Sequence, residues 1–299
     1  MPKELRYNPL LGEWVIYADN REERPLFPGE CPFCDVEEVP VSLDNRYPSL
    51  SEKKEKKEKK EDKNKEKISE KGRKADGKCE VIIYSKDHDT KISSMKTEEI
   101  AKVVDLWKER YEILSKKYKT VFIFENRGKE IGVTLEHPHG QIYAMNFYPP
   151  MLVNERKNYH KYRKEKGRCL FCDLIKHEKE EGKRILEEND TFLSFVPYFA
   201  RWSFETHIYP KEHVSNICKV DSFDLASILK DSLKRIEKIG EGYIFCLHQF
   251  KDDFHFHLEI YPPYSAKNRI KYRGGVETGS GTFINSIFPE DSAKMLRDV

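Results

Sequence analysis

The chain has 299 residues, roughly two domains' worth of polypeptide, and its hydrophobic fraction of 38%, with 17 Phe and 16 Tyr, excludes disorder throughout. No apolar run approaches the roughly 18–20 residues a bilayer crossing needs, and the opening Met1-Pro2-Lys3-Glu4 stretch lacks the apolar core of a signal peptide, so a cytoplasmic protein with no membrane partner is expected. The formal charge of +2 divides into +3 over residues 51–67 and −1 over the other 282, which excludes the continuous positive face of a nucleic-acid binder.

In chain order, the first marked feature is Cys31-Pro-Phe-Cys34. The run from Ser51 to Lys78 follows, in which Ile68 and Ala75 are the only apolar residues, so it reads as a solvated insertion that buries no face. A strand is expected at Val81–Tyr84, then a lone His88. Apolar residues at helical spacing from Ile100 to Leu114 predict an amphipathic helix that begins at Thr97 as N-cap. The strand Thr120–Glu125 leads to His137-Pro-His139-Gly-Gln141-Ile-Tyr143.

The second half gives the same features in the same order: Cys169-Leu-Phe-Cys172, a strand at Thr191–Val196, His213, a helix over Ser222–Ile239, a strand at Gly242–His248, and His255-Phe-His257-Leu-Glu259-Ile-Tyr261. The second Cys precedes the lone His by 54 and 41 positions, and the lone His precedes the His pair by 49 and 42. The larger first gap is explained by the insertion. Duplication of a unit of about 125 residues is therefore expected, much longer than a solenoid repeat. The halves are placed at 1–150 and 151–299, each an α+β arrangement of antiparallel strands with a helix on one face.

Strand alternation puts His137, His139, Gln141 and Tyr143 on one face and, in the second copy, His255, His257, Glu259 and Tyr261. A single strand histidine is most often structural. Two at period two, in two copies, call for chemistry. Without a secretory signal, each Cys-x-x-Cys favours zinc over a disulfide, and a thioredoxin-like dithiol needs a strand-to-helix setting that the sequence does not show. The expected zinc sets are Cys31, Cys34, His88 and His137, and Cys169, Cys172, His213 and His255. Cys79, Cys218 and Cys246 are read as packed or incidental thiols. With His137 assigned to metal, His139 is left for covalent catalysis at phosphorus. Gly140 would clear space for a phosphate, and Gln141 would donate to a phosphoryl oxygen.

Tyr7-Asn-Pro-Leu, Asn20-Arg21-Glu-Glu-Arg24-Pro25, Cys31-x-x-Cys34, Phe124-Glu125-Asn126-Arg-Gly128, His137-Pro-His139-Gly-Gln141 and Phe204-Glu205-Thr206 together resemble the galactose-1-phosphate uridylyltransferase family of the histidine-triad superfamily. The resemblance implies two histidine-triad-like halves and a double displacement. The residue matching His139 would take UMP from UDP-glucose and pass it to galactose 1-phosphate, with Gln141 and Thr134 beside it. It also implies that Arg21 and Arg24 reach substrate phosphates across a homodimer interface. Asn45 and Tyr47 would line the nucleotide pocket, Asn126 the phosphate or sugar, and Lys271, Tyr272 and Glu277 the hexose side.

Family members can also carry a second metal site of Glu and His, matched here by Glu155, His248 and His257, with Glu259 standing for a histidine. The repeat instead nominates Cys169, Cys172, His213 and His255, and that set is preferred. The alternatives to uridylyl transfer are a related phosphorylase, for example of an ADP-sugar, and a noncatalytic zinc-braced binding module. Gln141, where the superfamily's hydrolases show another histidine, favours transfer over hydrolysis.

Overall fold

The computed structural model describes residues 3–19, 30–52 and 72–298. Its centre is one antiparallel sheet of nine strands. The first half supplies β3 (Val41–Asp44), β5 (Gly77–Ile83), β6 (Thr120–Arg127) and β7 (His139–Met145), and the second supplies β8 (Ile185–Glu188), β9 (Phe192–Phe195), β10 (Thr206–Pro210), β11 (Tyr243–His248) and β12 (His257–Tyr261). The spatial order is β3-β5-β7-β6-β11-β12-β10-β9-β8. The halves therefore share one sheet rather than carrying one each, joined where β6 pairs with β11 in a register that sets Glu125 opposite Phe245.

Each copy runs strand, helix, strand, strand. In the first, β5 leads to α1 (Thr97–Ser115), then β6 and β7; in the second, β10 leads to α4 (Ser222–Glu237), then β11 and β12. The counterpart of β5 is thus β10, not the Thr191–Val196 segment expected from sequence, because β10 is the strand that pairs with β12 as β5 pairs with β7. Segment Phe192–Phe195 lies one place further out, as β3 does in the first half.

Helices α1 and α4 pack side by side on one face of the sheet. Alternate residues of the central strands, such as Ile123, Ile142, Phe245 and Leu258, meet Val104 and Trp107 of α1 and Leu229 and Leu233 of α4 in one core. Trp107 ties the halves together, its ring centroid 6.0 Å from Tyr84 and 5.8 Å from Phe245. Helix α1 starts one residue earlier in its capping than expected. Thr97 is already helical, and the Lys96 N–H donates to Glu99 Oε2 at 3.0 Å. Glu98 and Glu99 in the first turn also suit the positive end of the helix dipole. Helix α4 is capped by Asp221, whose carboxylate accepts from the Asp224 N–H at 2.9 Å.

The opposite face is covered differently in the two halves. Strands β1 (Glu4–Asn8), β2 (Glu13–Tyr17) and β4 (Gly72–Lys74) form a small sheet beside the first half, with Leu5, Leu50, Met145 and Phe147 clustered beneath it. The second half is covered by α2 (Pro150–Lys166) and α3 (Leu170–Glu181), through Leu152, Tyr159, Phe171 and Ile175. Neither helix was expected from the sequence. Helix α2 buries only Leu152 and Tyr159 and so leaves a weak periodic signal, whereas the short α3 does carry an apolar stripe through Phe171 and Ile175 that the sequence analysis leaves unread.

The expected insertion needs a new boundary. Residues 53–71 lie outside the described residues, but Gly72–Lys74 pairs with β1, Ala75 is fully buried and Lys78 pairs with Asp44 at 3.0 Å. Glu52 accepts from Lys117 and from the Tyr118 hydroxyl, each at 3.0 Å. Deleting residues 53–70 while keeping Glu52 should leave unfolding free energy within about ±0.5 kcal/mol, as for typical surface changes. Thermal and denaturant melts of the deletion and the full chain are the check, and a larger loss would show that the segment packs.

Candidate functional site

Period-two alternation gives the sheet a second face for chemistry. With Ile142 and Ala144 of β7 buried against the helices, His139, Gln141 and Tyr143 point the other way, as do His257, Glu259 and Tyr261 of β12. His137 and His255 stand just before these strands rather than within them.

His139 and Gln141 line a cavity of about 240 Å³ together with Phe33, Asn45, Tyr47 and Thr134. The His139 Nδ1 lies 2.7 Å from the His137 carbonyl. A carbonyl only accepts, so Nδ1 carries the proton and the neutral ring has its lone pair on Nε2. The Phe33 ring, inside the first Cys-x-x-Cys, packs on His139 with centroids 5.3 Å apart. Asn45 shapes its own loop, its side-chain oxygen accepting from the Tyr47 N–H at 2.8 Å. Gly140 has a different role from the one expected. Alternation turns it to the helix face, where a Cβ would overlap the Tyr84 hydroxyl; the glycine serves packing beneath β7, not phosphate approach.

Cys31, Cys34, His88 and His137 converge with their ligand atoms all within 4.8 Å of one another, and so do Cys169, Cys172, His213 and His255. His137 Nε2 donates to the Ser85 carbonyl at 2.8 Å, leaving Nδ1 toward Cys34 Sγ at 3.7 Å. His255 repeats this, donating from Nε2 to the Pro210 carbonyl at 2.9 Å and turning Nδ1 to both Cys169 and Cys172 at 3.6 Å. Such outer hydrogen bonds fix a ligating imidazole's tautomer. Burial also holds the His137 imidazole below its usual range, toward the neutral form a metal needs. In the second set, the thiol hydrogen bond between Cys172 and Cys169 drives Cys169 well down, with His255 adding to the effect. The sequence reading of this second Cys pair is corrected in one respect: Cys169 flanks the start of α3, so the pair does open a helix. The element before it is α2 rather than a strand, so the thioredoxin setting is still unmet.

The two candidate sets for the second metal site are not rivals, because the fold assembles both. Glu155 of α2 meets His248, His257 and Glu259 in a cluster of its own, and Glu205, His207 and Glu259 form a further one. The Glu155 carboxylate lies 2.8 Å from His248 Nδ1. Burial disfavours a charged His207, but Glu259 and Glu205 outweigh it and raise the imidazole above its ordinary value. Cys79 and Cys246 are buried thiols, as expected, with Cys246 Sγ 3.3 Å from His248 Nε2.

Other expected residues are scattered. Arg21 and Arg24 lie outside the described residues. Asn126 sits on β6, opposite Ile244 of β11 at the seam. Lys271 pairs with Glu277 at 3.2 Å, and Glu277 accepts from the Gly274 N–H at 2.9 Å, capping the short helix Gly275–Ser280. Tyr272 is 80% exposed. None of these four lines the His139 cavity within this chain. The sequence reading passed over Phe33, Leu43 and Val81 in the cavity wall, and His207. The signal for His207 was its alternation with Tyr209 on β10 and with Glu205 just before that strand.

A duplicated helix-on-sheet unit, with paired cysteines and paired histidines converging beside a cavity, is the architecture of a nucleotide-sugar transferase built from two repeated halves. The chain belongs to the galactose-1-phosphate uridylyltransferase family: the family's N-terminal domain matches residues 33–149 and its C-terminal domain residues 154–272. It is 39% identical to a galactose-1-phosphate uridylyltransferase of Thermotoga maritima, over 99% of this chain and 98% of that protein. It is 27% identical to an ADP-glucose phosphorylase of Arabidopsis thaliana, over 99% and 93%. A solved uridylyltransferase structure superposes with a TM-score of 0.86 at 29% identity, covering 99% of this chain and 97% of that one. The Arabidopsis ADP-glucose phosphorylase with bound ADP-glucose gives 0.74 at 27% identity, covering 99% of each.

On the helix face of β6, the strand next to β7, Glu125 is buried and accepts from the Tyr243 hydroxyl at 2.9 Å. Burial raises its carboxyl from 4.5 to about 7, with the Tyr243 hydrogen bond and Arg127 opposing. A folded value above the unfolded one means that this group's stabilisation is fully present below pH 4.5 and is lost as pH rises through about 7. Glu125→Gln, held neutral, should match the parent near pH 4 and exceed it by up to about 3 kcal/mol by pH 8. Denaturant unfolding of both proteins at the two pH values checks this, and parallel pH profiles would refute it.

Proposed function

We propose that this chain moves UMP from UDP-glucose to galactose 1-phosphate in two displacements at His139. The supporting observation is the imidazole at the cavity wall whose Nδ1–H is tied to the His137 carbonyl at 2.7 Å. The Nε2 lone pair attacks the α-phosphorus of UDP-glucose, an N–P bond forms, and the bond from that phosphorus to the bridging oxygen breaks as glucose 1-phosphate leaves. A phosphate oxygen of galactose 1-phosphate then attacks the same phosphorus. The N–P bond breaks, its electron pair returns to Nε2, and UDP-galactose is released. While phosphorus is bound, the ring is cationic, and the His137 carbonyl accepting from Nδ1–H stabilises that charge. The Gln141 amide donates to a non-bridging phosphoryl oxygen, and Thr134 lies beside it. Asn45 and Tyr47 hold the nucleoside, with Phe33 closing the cavity against water. Arg21 and Arg24 would act across a homodimer, with Asn126, Lys271, Tyr272 and Glu277 on the sugar side.

The two Cys–His sets suit zinc by donor type, and with four protein ligands each they would brace the strands that carry His139 and His257 rather than act on substrate. Glu155, His248, His257 and Glu259 would hold a further cation by nitrogen and oxygen donors. The reading places the protein in the cytoplasm, with half-domains at 1–150 and 151–299. Greater identity to uridylyltransferases than to the ADP-glucose phosphorylase favours UDP-glucose as donor.

Zinc analysis of the purified protein should find close to two equivalents, with one lost in Cys169→Ser; unchanged content would remove the second site. Incubation with α-labelled UDP-glucose should label the protein through an acid-labile bond and give UDP-galactose when galactose 1-phosphate is added. His139→Gly should keep its zinc, lose transfer by several orders of magnitude and form no adduct. His137→Gly should lose metal and stability first, with activity following. A labelled adduct in His139→Gly, or faster phosphorolysis of ADP-glucose than exchange on UDP-glucose by the parent, would overturn the reading.

A further inference from the structure

The donors around Glu259 fall into two converging groups rather than one. Glu155, His248, His257 and Glu259 form one set of converging donors, and Glu205, His207 and Glu259 form another. Glu259 belongs to both: its Oε1 lies 3.4 Å from His257 Nε2 and 3.5 Å from His207 Nε2, while its Oε2 lies 3.9 Å from His248 Nε2. The geometry points to a pair of divalent cations bridged by the Glu259 carboxylate, one completed by Glu155, His248 and His257, the other by Glu205 and His207. This rests on the reading of the first set as a cation site and adds a second ion to it.

The orientation of the rings supports it. His257 Nδ1 donates to the His255 carbonyl at 3.0 Å, so the neutral ring turns its Nε2 lone pair toward the carboxylates of Glu259 and Glu155, at 3.4 and 3.9 Å. Acceptors facing acceptors are stabilised by a cation between them. His207 is held from behind by the Tyr209 hydroxyl at 2.9 Å and presents Nε2 to Glu205 Oε1 at 2.9 Å. The other oxygen of Glu205 accepts from the Arg201 and Trp202 N–H groups at 2.8 and 3.0 Å. The inner ligands of the second ion thus have outer partners that fix their aim.

Charge argues the same way. Three carboxylates meet here, with Glu205 1% and Glu259 5% exposed; facing them among the described residues are the Arg201 guanidinium, 3.6 Å from Glu259, and the His207 and His248 imidazoles, which the carboxylates hold toward their charged forms. Carboxylates so buried need compensating charge, which metal ions supply in place of the imidazole protons. The cluster lines a cavity of about 500 Å³ through Glu155, Glu205, His207, His257 and Glu259, which leaves room for further ligands beside the protein donors. The sheet register explains the origin of the extra donors. His207 stands opposite Glu259 as Val81 stands opposite Gln141, and His257 occupies the place of His139. The second cavity is the repeat of the nucleophile's cavity with an amide and a valine replaced by cation ligands.

The test is a Mn²⁺ titration of the full chain, its zinc counted beforehand and the nitrogen–oxygen centre cleared by dialysis against EDTA, followed by electron paramagnetic resonance. Two-metal sites hold their ions about 3.5–4 Å apart, close enough for magnetic exchange. The expected result is two Mn²⁺ per chain, with the hyperfine sextet of isolated Mn²⁺ replaced by a broadened, exchange-coupled signal. His207→Leu should bind one Mn²⁺ and restore the sextet; Glu205→Gln, which keeps acceptors for the Arg201 and Trp202 N–H groups, should do the same and covers the case in which the first variant misfolds. One Mn²⁺ with a plain sextet in the parent overturns the pair and leaves the single-ion site standing. No bound Mn²⁺ overturns both. An unchanged coupled signal in both variants refutes Glu205 and His207 as ligands.

Discussion

The structure depends on one constraint: each His-x-His segment leads into a strand whose alternate side chains must go to opposite faces of a shared sheet. One face is occupied by α1 and α4 and their common core. Polar residues of β7 and β12 are thereby forced onto the other, where nothing of the main core competes for the space. On that face the first histidine of each pair donates to a backbone carbonyl and so turns its remaining nitrogen to the thiols. The second histidine donates to the carbonyl of the first, at 2.7 Å in one copy and 3.0 Å in the other. The tautomer of each ring, and which of its nitrogens faces the thiols or the cavity, follow from where these few carbonyls stand.

Duplication then separates scaffold from chemistry. The backbone hydrogen bonds of the two histidine pairs are alike, as are the Cys-x-x-Cys partners, yet the cavities beside them differ in character. The first is lined by the neutral amide of Gln141 with Val81 opposite, the second by the carboxylate of Glu259 with His207 opposite and Glu155 and Glu205 beside it. On the proposed reading these side-chain differences suit the first cavity to phosphate oxygens and the second to cations, with the same backbone beneath.

Much of this was legible in the residues. The repeat, the strand alternation, α1, α4 and both Cys–His sets are visible because each is carried by regular spacing. What escaped was what spacing does not encode. The merging of two sheets into one rests on β6 meeting β11, a contact between segments with no shared local pattern. Helix α2 buries too little to show a stripe, so the delivery of Glu155 to His248 was not apparent from the helix itself. Gly140 was misread because a glycine beside a nucleophile suggests substrate room, while its own place in the alternation directs it at Tyr84. His207 lay in a segment that reads as an ordinary buried strand until its partner across the ladder is known.

The seam has a consequence for how the protein is made. The edge of β6 that β11 covers emerges from the ribosome with Arg127, and the first residue able to pair with it, Tyr243, follows 116 positions later. At about 5–20 residues per second, that edge stands uncovered for roughly 6–23 s. An unpaired hydrophobic strand in the middle of a future sheet invites pairing with the same strand of a neighbouring nascent chain. Loop closure over such a span is also a slow class of folding event. Sharing one sheet between the halves therefore gains a single core for the finished enzyme and gives the growing chain an interval in which it is most vulnerable to aggregation.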